Sequence, residues 1–171
     1  ENTVTRRFFK ELGDVDMAPV LAFLTSPTGQ RLVALKLSAR EAMMEGDIEQ
    51  AAHAAFRALD EKSDARLTVL NDLVEANVTG ALNANYAYYR GLHKSGALGM
   101  SDQHMLEQVW SGEVEARIDI NEWVFAFLLM AYTPLGEDVV AEYAALSQTE
   151  AGHRMNRALF AGLDEMFRDI S

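Results

Sequence analysis

The stretch SDARLTVLNDLVEANVTGALNANYAYYRGLHKSG, residues 63–96, sets the fold class. Its residues Leu67, Leu70, Val74, Asn77, Ala81, Ala84, Tyr88 and Leu92 recur three or four apart. That is the spacing of one face of an α-helix, not the alternation of a strand. Ser63 is placed to cap this helix, and Gly96 and Gly99 close it. Ser101 then caps a second run, whose stripe is Met105, Leu106, Val109, Trp110, Val114, Ile118, Asn121, Val124, Phe125, Leu128 and Leu129. Two helices of about 30 residues joined by a short Gly-containing loop pack as an antiparallel hairpin, here spanning about residues 64–132. Gly80 and the Ser111-Gly112 pair are the candidates for bends.

Outward from the hairpin, the pattern predicts helices at about 3–12, 17–25, 27–45, 48–61, 134–147 and 150–169. The three prolines fit that reading. Pro27 follows Ser26, Pro134 follows Thr133, and Pro19 lies three residues after Asp16, so each suits a first helical turn with an oxygen-bearing cap before it. The expectation is an all-α protein in which residues 1–171 form a single-domain helical bundle.

The flanks of the hairpin resemble each other. Displacing the chain by 123 residues pairs Leu12-Gly13-Asp14 with Leu135-Gly136-Glu137, Ala22 with Ala145, Ser26 with Thr149, Gly29 with Gly152 and Arg31 with Arg154. Apolar residues also fall on apolar ones, as Val20 on Tyr143, Phe23 on Leu146 and Leu32 on Met155. Each copy, about 12–40 and 135–167, reads as a short helix, a break at Ser or Thr, and a longer helix with Gly at its third position. A residue without a side chain there lets another segment approach the first turn closely. Ser26, Pro27, Gly29 and Arg31 in one copy, and Thr149, Gly152 and Arg154 in the other, are the structural residues of this expected duplication.

The phrase Leu24-Thr25-Ser26-Pro27-Thr28-Gly29-Gln30-Arg31 resembles the DUF2059 family, a group of bacterial, mostly exported helical proteins of unknown function. Leu146-Ser147-Gln148-Thr149-Glu150-Ala151-Gly152-His153-Arg154 looks like a variant of the same motif, with Glu150 where the motif has proline. The resemblance implies an all-helical periplasmic protein and supplies no catalytic residues. The chain begins at Glu1 and not at Met, as expected of a product from which a targeting segment has been removed.

Charge narrows the functional classes. Lys and Arg number 15 against 26 Asp and Glu, a formal net charge of −11, with no basic cluster of the kind that a phosphate backbone demands. Nucleic acid is therefore excluded as a partner, whereas a basic protein would bind in a salt-sensitive way. The most apolar run, Trp123 to Tyr132, is roughly half the length a bilayer-spanning helix requires. The absence of Cys excludes disulfides, thiolate metal sites and thiol nucleophiles.

Glu150-Ala151-Gly152-His153 has the spacing of a metal-binding Glu-x-x-His, but Pro27 and Gln30 stand at the matching places of the other copy, so no metal is expected. His53, His93 and His104 lie on different helices with no paired ligand spacing and read as solvated or core-edge residues. Glu115, Asp119 and Glu122 share one helical face, which reads as solvated, because acid–base work needs carboxylates in different environments. The cluster Asn83, Asn85, Tyr86, Tyr88, Tyr89, Arg90 and His93 places amides and phenols where a long helix normally carries Glu and Lys. Tyr and Arg are enriched at binding hot spots, which makes Asn85, Tyr86, Tyr89, Arg90 and His93 the binding candidates.

The functional expectation is a non-enzymatic binding or interaction module without cofactor, taking a protein or peptide partner or pairing as a homodimer. One alternative is a carrier of a small hydrophobic ligand or lipid between the long helices. Another is a hydrolase with an unrecognised site.

Overall fold

The computed structural model describes the backbone of residues 3–60, 62, 64–75 and 101–170, and the side chains of these except 102–116, 163–164 and 166–170. The described residues are helical, with no strand. In chain order the helices are α1 (Thr3–Leu12), α2 (Ala18–Thr25), α3 (Pro27–Ala42), α4 (Gly46–Asp60), α5 (65–75), α6 (Asp102–Tyr132), α7 (Glu137–Ser147) and α8 (Glu150–Ile170). The protein is an all-α bundle.

The bundle is organised around the last turns of α6. Val124 to Leu129, Ala131 and Tyr132 are all buried, so this segment is enclosed on every side, as a helix apolar around its whole circumference must be. α3 and α4 both pack on it. Phe56 of α4 stacks on Phe125 at 5.1 Å, and α5 adds Leu67, Leu70, Leu73 and Val74 to the same core. The ten-residue run too short to cross a membrane is thus the axis of the core, and among the described residues no helix is long and apolar enough to be a membrane span. α1 lies on α8, where Gly162 keeps a gap that a Cβ would close to 3.6 Å from Val4.

Two local expectations are corrected. Ile118, assigned to the buried stripe of α6, is 60% exposed, and among the described side chains of this helix Val124 is the first that is buried. Ser63, expected to cap α5, lies outside the described residues; the Oδ1 of the adjacent Asp64 accepts the Arg66 backbone N–H at 2.9 Å. Pro134 is in no helix. Thr133 completes the end of α6 by donating its hydroxyl to the Leu129 carbonyl at 2.6 Å, and α7 starts at Glu137 with Gly136 as N-cap. Proline here ends one helix and does not open the next.

Candidate interaction surface

The two helix corners that bracket the bundle have the same local chemistry. At α2–α3 the Ser26 hydroxyl donates to the Phe23 carbonyl at 2.6 Å and accepts the Gly29 N–H at 3.0 Å. At α7–α8 the Thr149 hydroxyl donates to the Leu146 carbonyl at 2.6 Å and accepts the Gly152 N–H at 3.1 Å. A Cβ on Gly29 would strike the Phe23 carbonyl oxygen and come within 2.8 Å of the Leu24 Cα; one on Gly152 would strike the Leu146 carbonyl oxygen and come within 2.7 Å of the Ser147 Cα. Each glycine therefore lets the preceding helix fold back across the first turn of the next.

The likeness fades away from the corners. Gly13 ends α1 with φ +64, a left-handed conformation that favours glycine, whereas Gly136 has φ −70 and serves as an N-cap. Arg31 donates to the Pro134 carbonyl at 3.3 Å, while Arg154 is half-buried on α8. The corners also meet through aromatic rings: Phe23 of α2 stacks on Tyr143 of α7 at 5.6 Å, and Tyr132 packs edge-on to Tyr143 at 6.2 Å. Tyr132 is 3% exposed, and its hydroxyl finds no hydrogen-bond partner among the described residues. Burial and the neighbouring Tyr143 push that phenol well above its ordinary pKa.

Between α3, α4 and α6 runs a polar seam. Glu49, His53 and Arg57 stand four apart on one face of α4. The Glu122 carboxylate accepts from His53 Nδ1 at 2.8 Å and from Arg57 at 2.7 Å, while the Trp123 indole N–H donates to Glu49 at 2.7 Å. The Arg40 guanidinium lies over the Trp123 ring, 5.0 Å from its centroid. Burial works to raise the pKa of Glu122, but the hydrogen bonds from His53 and Arg57 outweigh it and hold the carboxyl below its usual value. Glu122 thus leaves the solvated face that its spacing with Glu115 and Asp119 suggests; Asp119 is exposed, and the Glu115 side chain lies outside the described residues. Four-residue spacing of Glu49, His53 and Arg57 beside the core residues Ala52 and Phe56 was the available signal.

Among the described residues no helix covers the outer face of α3. Leu32, Ala39 and the C-cap Met43 turn toward the core, and one step around the helix Val33 and Leu37 face solvent, at 40% and 63% exposure. Their spacing of four puts them in one stripe with Arg40 a turn further on, and Met44, in the turn just past the helix end, is 82% exposed. Ile48, at the start of α4, is also exposed. Lys36 of α3 is half-buried, and burial lowers its pKa.

Residues 1–58 match DUF2059, an uncharacterized protein conserved in bacteria. The DUF2059 match takes in the Ser26-Pro27-Thr28-Gly29 corner and α3, and stops short of the α7–α8 corner. No curated protein and no solved structure matches the chain. Among the described residues, six of the eight large apolar side chains left exposed, Phe9, Leu21, Val33, Leu37, Met44 and Ile48, fall within the DUF2059 segment, so the uncovered surface is concentrated there. The binding candidates drawn from the sequence, Asn85, Tyr86, Tyr89, Arg90 and His93, lie outside the described residues. Glu150 and His153 are exposed in the first turn of α8, and among the described residues no three His, Asp or Glu side chains gather as a metal ligand set.

Proposed function

We propose that the protein is an interaction module, exported in keeping with its family resemblance, that binds a protein partner through the outer face of α3. The observation that carries this reading is the pair Val33 and Leu37, exposed in a helix whose opposite side is already packed on α6, with Met44 exposed just past its end. A soluble surface helix ordinarily presents charge where this one presents Val and Leu, and contiguous apolar exposure marks a contact site. Arg40 over Trp123 at its edge adds the residue types that supply most binding energy, and Met supplies an adaptable contact.

The Cys-free chain permits a direct test with single cysteines. Leu37→Cys and, on exposed α7, Ala141→Cys are alkylated with a maleimide in the native host and in dilute purified protein. Leu37→Cys should react several-fold more slowly in the host than when purified, while Ala141→Cys reacts alike in both. Equal rates in both settings at both positions would remove α3 as the contact face.

A further inference from the structure

We infer that the α3 face takes a second copy of this chain, packed antiparallel across a two-fold axis. The inference rests on the reading of α3 as a contact face and names its occupant. Charge along this segment is sorted to an unusual degree. Of the exposed charges on this strip, Arg31 and Arg40 in α3 are cationic, and Glu41, Glu45 and Asp47 after them are anionic. Two cations against three anions leave the strip close to neutral, so most of the formal charge of −11 resides elsewhere in the chain. Two copies of so acidic a protein repel each other over most of their surface. On this strip the repulsion is small.

Sorted charge on a self-complementary strip selects the orientation. Laid parallel, the cationic half meets the cationic half. Laid antiparallel, cationic residues meet anionic ones, and the two helix dipoles also oppose. The apolar stripe fits the same register. With Val33 opposite the second copy's Met44, in the turn after its α3, Leu37 meets the aliphatic stem of the second copy's Arg40, and Arg31 falls opposite the second copy's Gly46, beside its Glu45. Arg31, Arg40, Glu41 and Glu45 are exposed, and the only intramolecular bond of the Arg31 side chain among the described residues is the 3.3 Å one to the Pro134 carbonyl. An isologous contact of this kind closes at two copies. Its strip is one helix of about 24 Å and a corner, smaller than a standard interface, so the pairing is weak and fills at high concentration.

Sedimentation equilibrium of the full chain at low and high protein concentration, with circular dichroism to verify folding, tests this. The wild type should move from one chain mass to two and be weakened by salt. Leu37→Asp should weaken the association by about 10-fold or more, with Leu37→Ser as the milder variant should the first disturb folding. Arg31→Glu and Glu45→Arg should each weaken it, and the double variant Arg31→Glu/Glu45→Arg should restore it. A wild type of one chain mass at roughly 100 µM, where a weak specific pair should be filled, overturns the second copy as occupant. A dimer that the double exchange does not restore overturns the antiparallel register. If Leu37→Cys is protected in the host while the pure protein stays monomeric, α3 remains the contact face and the partner is a different protein; if neither protection nor dimer is seen, both readings fall.

Discussion

The α2–α3 and α7–α8 corners share a hydroxyl cap, a glycine at the third helical position and a preceding helix folded back onto that glycine. Their surroundings differ. α3 presents Val33 and Leu37 to solvent, whereas α8 is covered by α1 at Gly162 and, where its side chains are described, leaves Leu159 as its exposed large apolar residue. One local device therefore serves two helix pairs, and among the described residues what separates them is whether another helix covers the longer member. That the two corners descend from one duplicated unit is a proposal, and its sharpest tests lie at the corners themselves.

The largest expected effect is at the glycines. Any Cβ at Gly29 or Gly152 meets backbone of the preceding helix, and backbone cannot rotate aside as a flexible side chain would. Gly29→Val and Gly152→Val should each destabilise by about 1–3 kcal/mol or more. Gly→Ala should also lose stability at both, although helix propensity alone would favour Ala by about 1 kcal/mol. Urea unfolding measures both pairs, and a stabilising Ala at one position alone would end the comparison.

Next come the caps. Ser26→Ala and Thr149→Ala should each cost about 1 kcal/mol, because each hydroxyl satisfies one first-turn N–H. A difference well beyond the spread of such measurements would mean that the corners share geometry without sharing its energetic weight.

Both corners were legible in the sequence because their chemistry is local: cap, glycine and the carbonyl they touch lie within six residues of one another. The same holds at Gly13, which ends α1, and fails at Pro134, where Thr133 serves the helix behind it and not the one ahead. The seam between α4 and α6 was not legible. His53 and Glu122 are 69 residues apart, and Trp123 and Glu49 are 74 apart. Periodicity tells which face of a helix is apolar, but not which helix will lie against it. For the same reason periodicity does not single out Val33 and Leu37 as the side of α3 left open once α6 lies against Leu32 and Ala39.

α4 lies outside both corners, which makes it the control for the comparison. Glu122→Gln should cost about 1 kcal/mol, since the carboxylate and Arg57 are both partly solvated and screening trims their attraction. The sign with pH follows from the depressed pKa of Glu122. The stabilisation is fully present above the ordinary Glu value and is lost as pH falls through the lowered folded value. Thermal midpoints of wild type and Glu122→Gln should therefore differ at neutral pH and converge in acid, with Ser26→Ala keeping its deficit throughout. A gap that persists in acid would show that Glu122 acts through shape and not through charge.

The smallest effect is the most specific to the comparison. Pro27 and Glu150 are the first helical residues of α3 and α8, each directly after its hydroxyl cap. Proline at this position fixes a backbone angle the helix already uses and sacrifices an N–H that has no intrahelical partner, which is worth about 0.4–1 kcal/mol. Glutamate there faces the positive end of the helix dipole, worth about 0.3–1 kcal/mol. Exchanging them, Pro27→Glu at one corner and Glu150→Pro at the other, trades one term for another of similar size. Each single exchange should therefore shift stability by less than about 0.5 kcal/mol, and the double variant by no more than the sum of the two. Proline also constrains the residue before it to extended backbone, the conformation Ser26 holds with φ −66 and ψ 157. Glu150→Pro thus asks whether Thr149 accepts the same geometry, and a loss above about 1 kcal/mol there, with Pro27→Glu neutral, would show that the two corners reach similar hydrogen bonds through different backbones.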